Sequence, residues 1–167
     1  EMCIRDRFKL EGEIIRRRPE FEMDDRMLLH HIDLKRGVVH IDGKDYTLKD
    51  TNWPTLDPKD PYRLSIEEED LIRKILHSFE SSEKMKKHMR CFFRHGGMYQ
   101  VCNSNLLFHA SIPMNPDGTF KSVRILGQDY KGRALLDRVD QLIRTAYFKT
   151  GEQEEVEYAH DYISVSY

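Results

Sequence analysis

The 167-residue sequence has no long hydrophobic run, few cysteines and no excess of charge of either sign. No apolar run is longer than the three residues seen in Leu106–Phe108, whereas a membrane-spanning helix needs about 20. Lys plus Arg number 27 against 29 Asp plus Glu, so the basic surplus typical of nucleic-acid-binding proteins is missing. An apolar secretion signal with a cleavage site is also not seen. We therefore expect neither a membrane nor a nucleic acid as a partner.

Three cysteines, Cys3, Cys91 and Cys102, form no metal-ligand spacing and are an odd number. This favours a reduced, cytoplasmic protein over a disulfide-bonded one. A Gly-rich phosphate loop, a Cys-x-x-Cys pair and a Gly-x-Ser-x-Gly elbow are all missing, which removes the simplest signatures of nucleotide binding, thiol redox chemistry and serine hydrolysis. With 39% hydrophobic and 34% charged residues, the sequence is typical of one ordinary domain or a piece of a larger one.

Both ends of the sequence resemble products of library preparation. Met2–Arg7 (MCIRDR) is similar to one reading frame of a transposase adapter used in sequencing libraries, and Ser164–Tyr167 (SVSY) is similar to the same adapter read from its other strand. We therefore expect residues 1–7 and 164–167 to be artefacts, to be set aside like a tag. The genuine part is then 8–163, cut from something longer.

Local signals predict the elements of the first half. Pro19 is expected to divide 8–34 into two short helices, and Asp42–Gly43 predicts a hairpin turn. Three prolines within 51–65 predict an extended connection.

A capping box of Ser65 and Glu68 then predicts the start of the clearest helix in the chain. Its buried stripe is expected from its apolar positions at helical spacing, which are Ile66, Ile72, Ile75, Leu76 and Phe79.

In the second half, a helix after Ser81–Ser82 is predicted to run to Gly96–Gly97, with a left-handed glycine cap. Its apolar side chains are Met85, Met89, Phe92 and Phe93. The pattern then predicts two strands, a turn, a short strand with a loop, and an amphipathic helix. The two strands are Met98–Cys102 and Leu106–His109, joined at Asn103–Ser104. The turn is Asn115–Phe120, the short strand with its loop is 120–132, and the helix is Arg133–Phe148.

Two histidines are candidates for a metal site. His95 lies in the last turn of a predicted helix, where a histidine complements the helix dipole, so a capping role accounts for it. His109 ends a predicted strand and is followed by the small residues Ala110–Ser111. A rigid strand end can fix an imidazole and leave an open coordination position. A half-buried structural histidine is the alternative, and the residues alone leave both open.

Other charged pairs give weaker signals. On a helix His30 and His31 would point about 100° apart, which hinders sharing of one metal. The pair His160–Asp161 lacks the further His and Asp residues of metal phosphohydrolases that use such a pair. Asp24–Asp25 and Glu67–Asp70 are expected to charge the first turns of their helices, where the dipole favours acids.

Taken together, five segments resemble class III fructose-1,6-bisphosphatase, a bacterial family related to the calcineurin-like metallophosphoesterases. The resemblance runs from about Phe8 to about Phe148 and keeps its order and spacing. The segments are FKLEGEIIRRRPEFEMDDRMLL, DTNWPTLDPKDPYRLSIEEED, SEKMKKHM, NSNLLFHASIP and YKGRALLD.

The resemblance implies an α+β fold, with part of a metallophosphoesterase α/β sandwich over 98–163 and a mainly helical insertion with a hairpin over 8–97. It implies Mn²⁺ as cofactor, His109 as a metal ligand and a sugar bisphosphate as substrate. The implied reaction is hydrolysis of fructose 1,6-bisphosphate to fructose 6-phosphate and phosphate, a step of gluconeogenesis. The residues that contact the substrate and the oligomeric state are left open.

The sequence also departs from the family pattern. Ser104 replaces a usual glycine, and Ala110–Ser111 replace a usual Gly-Cys. The superfamily motifs Asp-x-His, Gly-Asp-x-x-Asp, Gly-Asn-His-Asp/Glu and Gly-His are missing from this sequence. Since one histidine cannot hold two ions, the isolated piece is expected to be inactive. Two alternatives stay open: a non-catalytic interaction or regulatory module, and a metallophosphoesterase of other specificity.

Overall fold

A computed structural model describes residues 2–108 and 111–166. Within them it has five α-helices and three small antiparallel sheets, so the coarse expectation of an α+β fold is confirmed. The helices are α1 Met2–Arg17, α2 Ile66–Ser81, α3 Glu83–His95, α4 Gly132–Phe148 and α5 Gln153–Ser166. The strands are β1 Ile32–Asp33, β2 Val38–Ile41, β3 Lys44–Thr47, β4 Tyr99–Cys102, β5 Asn105–Phe108, β6 Val123–Ile125 and β7 Gln128–Tyr130.

The chain divides into two compact units, Glu1–Phe79 and Glu80–Tyr167. Each is described by itself below. The division predicted from the resemblance, with 8–97 and 98–163 between artefactual ends, stays a prediction.

In the first unit, α1 ends two residues before Pro19, as predicted from the missing amide hydrogen of proline. The second predicted helix is wrong. In its place are three single 3₁₀ turns, Pro19–Phe21, Asp24–Arg26 and Leu29–His31. Between the first two, Glu22 takes a left-handed conformation with φ of 52°, which an α-helix cannot contain.

The predicted hairpin is confirmed. Strands β2 and β3 pair antiparallel, with β1 on the other side of β2. Asp42 and Gly43 both have positive φ, as a two-residue type I′ turn requires. The proline-rich connection is also confirmed, because the structure, which describes this whole stretch, has neither helix nor strand between Leu48 and Ser65.

Helix α2 begins with the predicted capping box. The Ser65 amide donates to the Glu68 carboxylate at 2.7 Å, and the Glu68 amide donates to the Ser65 hydroxyl at 3.2 Å. The predicted buried stripe is wrong, since Ile66 is 82% exposed and Ile75, Leu76 and Phe79 are exposed as well. Among the described residues of α2, Glu68 is the buried one. The helix therefore docks through a polar contact at its first turn.

In the second unit, α3 covers the predicted residues and its N-cap Ser82 accepts from the Met85 amide at 3.2 Å. The predicted left-handed glycine is wrong, because Gly96 has φ of −98°. The last turn is closed by an arginine instead. The Arg144 guanidinium of α4 donates to the main-chain oxygens of Phe93 at 2.6 Å and Gly96 at 3.0 Å.

The hairpin β4–β5 is confirmed, with Asn103 and Ser104 both at positive φ in its turn. The turn near residue 117 is confirmed by the Asn115 amide donating to the Thr119 oxygen at 2.8 Å. The expected single strand after it is a second hairpin, β6–β7.

The core of this unit lies between α4, which was predicted, and α5, which was not. Its buried side chains come from both helices and from β6 and are Ile125, Leu135, Leu136, Val139, Leu142, Ala146, Val156, Tyr158, Ala159, Tyr162 and Val165.

Candidate functional site

The predicted metal ligand His109 and its neighbour Ala110 lie outside the described residues, so the role of His109 stays a prediction. The structure does describe the hairpin that leads to them. In the register of β4 and β5, Tyr99 lies opposite Phe108 and Gln100 lies opposite Leu107. Because side chains alternate along a strand, Tyr99 and Phe108 share one face of the hairpin and Gln100 and Leu107 share the other.

The side chains of this hairpin are mostly exposed. Within the described residues its strands pair only with each other. Apolar side chains on both faces are exposed, among them Val101 at 64%, Leu106, Leu107 and Phe108. A two-stranded hairpin is marginal in water by itself. The exposed apolar faces indicate a surface that further structure would stabilise.

A cavity of about 550 Å³ lies between the end of α3 and this hairpin. We call it the hairpin groove, and it is lined by residues 95–100 with Leu107 and Phe108. Its lining includes two aromatic residues, Tyr99 and Phe108, together with His95, Gln100 and Gly96–Gly97. Apolar walls with a few polar groups are typical of small-molecule sites.

Arg133 lies beside the groove. Its guanidinium carbon is 5.7 Å from the ring centroid of Tyr99, within the range of a cation–π contact. Its side chain is 80% exposed, and its ionic contact with Asp137 of the same helix is a long 3.6 Å. The guanidinium is therefore held loosely and stays accessible to an anion.

His95 lies in the last turn of α3, as predicted, and is one of the residues that line the groove. Its expected capping role is supplemented by Arg144, which bonds to the carbonyls of this turn. Within residues 2–108 and 111–166, no group of three or more His, Cys, Asp or Glu side chains is placed to hold a metal ion. The described residues by themselves do not fit a metal centre.

The pair His30–His31 falls in a 3₁₀ turn, and the two rings lie 4.0 Å apart. His30 Nδ1 is 2.9 Å from the hydroxyl of Tyr62, whose side chain is buried. Burial, and then the neighbouring His31, lowers the pKa of His30 below its usual value. His30 is thus engaged in packing at neutral pH. Sequence reasoning missed Tyr62, which is 32 residues away.

The structure places the remaining charged segments of the sequence analysis in different local environments. His160 and Asp161 lie on α5, with His160 exposed and Asp161 buried, so their side chains occupy different environments. Asp24–Asp25 begin a 3₁₀ turn instead of the expected helix. Glu67–Asp70 fall in the first turns of α2, as predicted.

A buried ion pair that the sequence did not predict joins α1 to α2. Lys9 Nζ lies 2.8 Å and 3.0 Å from the two carboxylate oxygens of Glu68, and both side chains are almost fully buried. The Lys9 ammonium also donates to the main-chain oxygen of Thr55 at 2.8 Å, and the Thr55 hydroxyl donates to Glu68 at 2.5 Å. Burial alone would raise the pKa of Glu68, but hydrogen bonds from Lys9, Thr55 and Ser65 outweigh it and lower the pKa.

A second polar cluster lies on the exposed surface of the β2–β3 hairpin. His40 Nδ1 is 2.9 Å from one carboxylate oxygen of Asp45, and Arg36 donates to the other at 2.6 Å. The hydrogen bonds to His40 and Arg36 lower the pKa of Asp45. Because His40 and Asp45 are cross-strand partners, we interpret this cluster as support for the hairpin.

Comparison with known proteins decides the family. The family model described as Firmicute fructose-1,6-bisphosphatase matches residues 4–165. The chain belongs to this family. A curated relative from Bacteroides fragilis, named fructose-1,6-bisphosphatase class 3, is 62% identical over 156 residues, which cover 93% of this chain. Relatives of the same name from Bacteroides thetaiotaomicron and Clostridioides difficile are 62% and 49% identical, over 93% and 92% of the chain.

The chain spans about a quarter of the length of these relatives, 24% for Bacteroides fragilis and 23% for Clostridioides difficile. No solved structure is significantly similar to the chain. Among the described residues, every helix is too short or too polar to span a bilayer.

Proposed function

We propose that this chain is a segment of a class III fructose-1,6-bisphosphatase. The whole enzyme would hydrolyse fructose 1,6-bisphosphate with water to fructose 6-phosphate and phosphate, as a cytoplasmic step of gluconeogenesis. The observation that carries the proposal is the family match over residues 4–165, with relatives of that name at 49–62% identity.

In this proposal His109 supplies one imidazole ligand to a manganese centre. The residue follows β5, whose four cross-strand pairs with β4 give it a defined backbone up to Phe108, and an ordered strand is a suitable support for a ligand. The described residues hold no cluster of metal ligands. The other ligands would come from outside this chain, and the isolated chain would be inactive.

The exposed hairpin supports a further part of the proposal. In the whole enzyme, β4 and β5 would belong to the metallophosphoesterase sandwich, and 8–97 would be the family-specific insertion. Additional strands and helices would then cover the exposed apolar side chains at the turn end of the hairpin, Val101 and Leu106. This would explain the exposed apolar surface, because exposing these side chains on an isolated hairpin is unfavourable in free energy.

A chimera tests the function directly. In it, residues 8–163 of this chain replace the matching segment of the Bacteroides fragilis relative, and phosphate release from fructose 1,6-bisphosphate is measured with added Mn²⁺. We expect the chimera to be active. His109→Ala should lower kcat/KM more than about 100-fold, since even the outer partners of metal ligands contribute 10- to 100-fold.

The matched control is His95→Ala, a histidine of the same segment that is assigned no metal. It should bind Mn²⁺ with unchanged affinity. An inactive but folded chimera, or a His109→Ala chimera with full activity and metal content, would contradict the proposal. Equal hydrolysis of other sugar phosphates would favour a phosphoesterase of other specificity.

A further inference from the structure

We infer that the hairpin groove, with Arg133 beside it, binds the sugar and the second phosphate of the substrate, the phosphate that is not hydrolysed. This inference rests on the proposed function, because a second phosphate has to be bound only if the substrate is a bisphosphate. It assigns substrate specificity to residues of this chain.

The chemistry of the substrate sets the requirement. A sugar bisphosphate carries one phosphate at each end of the sugar, and only one is removed in a turnover. The other keeps its negative charge, and it is the feature that separates the bisphosphate from a monophosphate. Arginine suits such a group because its planar guanidinium can donate two parallel hydrogen bonds to a phosphate.

The groove supplies surfaces for the sugar. Tyr99 and Phe108 are cross-strand partners, so their aromatic rings lie on the same face of the hairpin. His95 also lines the groove, and an imidazole can exchange hydrogen bonds with sugar hydroxyls. A volume of about 550 Å³ lies within the usual range for small-ligand sites.

Arg133 differs from two other arginines of the same unit. Arg144 is fixed by Asp140 at 2.7 Å and by two main-chain oxygens, and Arg138 lies 3.1 Å from Glu155. Among the described residues, Arg133 contacts Asp137 at the longer 3.6 Å and stacks on Tyr99. It also lies in the first turn of α4, where the helix dipole disfavours a positive charge. Helix stability therefore does not account for its position.

The groove is also close to the predicted metal ligand along the chain. Phe108 lines the groove, and His109 is the next residue in the sequence. In the proposed enzyme the groove would therefore adjoin the metal ligand along the chain.

The test uses the chimera with two substrates, fructose 1,6-bisphosphate and fructose 1-phosphate, which lacks the second phosphate. Arg133→Ala should raise KM for the bisphosphate about 10- to 100-fold, the size expected for one lost charge-assisted hydrogen bond. The value of kcat/KM for fructose 1-phosphate should change less than about twofold. Arg133→Lys should recover part of the loss, since a lysine keeps the charge but not the fork.

The matched control is Arg73→Ala. Arg73 is another exposed helical arginine with an acidic neighbour on its own helix, Asp70, and it is outside the groove; its substitution should leave both substrates unaffected. An equal loss for both substrates in the Arg133→Ala chimera, or no loss for either, would overturn the inference. A folded chimera that hydrolyses neither substrate before any substitution would instead overturn the proposed function, and the inference with it.

Discussion

The ring of Tyr62 lies directly against the backbone of Gly12. A Cβ atom at position 12 would overlap three carbon atoms of that ring, and Tyr62 is only 3% exposed. Gly12 lies within α1, where an alanine would ordinarily be favoured by about 1 kcal/mol. The glycine is therefore required by packing, and it lets the tyrosine ring reach the helix axis.

Gly12→Ala should destabilise the chain despite this helix preference, by about 1–3 kcal/mol, because a tightly packed site has to shift to admit a methyl group. Urea unfolding followed by the fluorescence of Trp53, the single tryptophan, measures the effect. The same substitution in a Tyr62→Leu background should cost less, since the ring is gone. A stabilised Gly12→Ala chain would show that the contact is not rigid.

The Lys9–Glu68 pair leads to a second prediction. Lys9→Met should destabilise the chain by about 3–5 kcal/mol, because it leaves a buried carboxylate without its counterion. The double substitution Lys9→Met with Glu68→Leu should recover much of the loss, since well-packed apolar residues often replace a buried ion pair without cost. Unfolding free energies of the single and double variants form the cycle that measures this coupling.

A surface arginine gives the control for that cycle. Arg73→Met removes a cation from an exposed pair with Asp70 and should change the unfolding free energy by less than about 1 kcal/mol. If Lys9→Met were equally mild, the buried pair would have no special role in docking α2 on α1.

The features that the sequence predicted correctly depend on residues close together in the chain. The Asp42–Gly43 turn, the Ser65–Glu68 capping box and the Asn103–Ser104 turn each involve at most four consecutive residues. Their geometry follows from local conformational preferences and local hydrogen bonds. These features form independently of the structure that packs around them. A sequence pattern is therefore sufficient to predict them.

The features that were missed depend on distant partners. Lys9 and Glu68 are 59 residues apart, and neither residue carries a local sign of the other. The stripe of α2 shows the converse error, because periodicity indicates which side chains share a face and not whether anything covers that face. Helix α5 was not predicted, although only its last three residues, 164–166, lie in the segment expected to be an artefact. At the candidate site, the groove and the Arg133–Tyr99 contact needed the structure, while His109 stays a prediction.

Acid should weaken the first unit through Glu68. Its pKa is lowered in the folded chain relative to the usual 4.5, so the folded state favours the charged form. The resulting stabilisation is present above pH 4.5 and is lost as the pH falls from there through the lowered value. Urea unfolding at pH values from 7 to 3 should therefore show a loss that is smaller in Glu68→Gln than in the unsubstituted chain.

Other carboxyls with lowered pKa values, such as Asp45 and Asp117, titrate in both proteins and cancel in the comparison. Glu69→Gln is a suitable control, because it removes an exposed carboxylate from the same first turn of α2. Identical pH profiles for the unsubstituted chain and Glu68→Gln would contradict the assignment.

Arg144 should hold the end of α3 on α4. Its guanidinium joins the carbonyls of Phe93 and Gly96 to the carboxylate of Asp140 and lies 5.7 Å from the ring centroid of Phe93. Arg144→Ala removes these bonds and leaves the partly buried Phe93 carbonyl without this donor, which costs about 1–3 kcal/mol. If the substitution lowers the free energy of local opening of the last α3 turn by this amount, hydrogen exchange of its amides should accelerate about 5- to 150-fold.

Arg144→Lys should restore only part of the protection, because one ammonium cannot reproduce the planar fork or its stacking on Phe93. Arg133→Ala is the control for this measurement, since Arg133 contacts Asp137 and Tyr99 rather than α3, and its substitution should leave α3 exchange unchanged. The comparison also separates two roles at the hairpin groove. If Arg144 positions His95 and Gly96, Arg144→Ala should weaken the binding of both fructose 1,6-bisphosphate and fructose 1-phosphate in the chimera. If Arg133 binds the second phosphate, Arg133→Ala should weaken the binding of the bisphosphate alone.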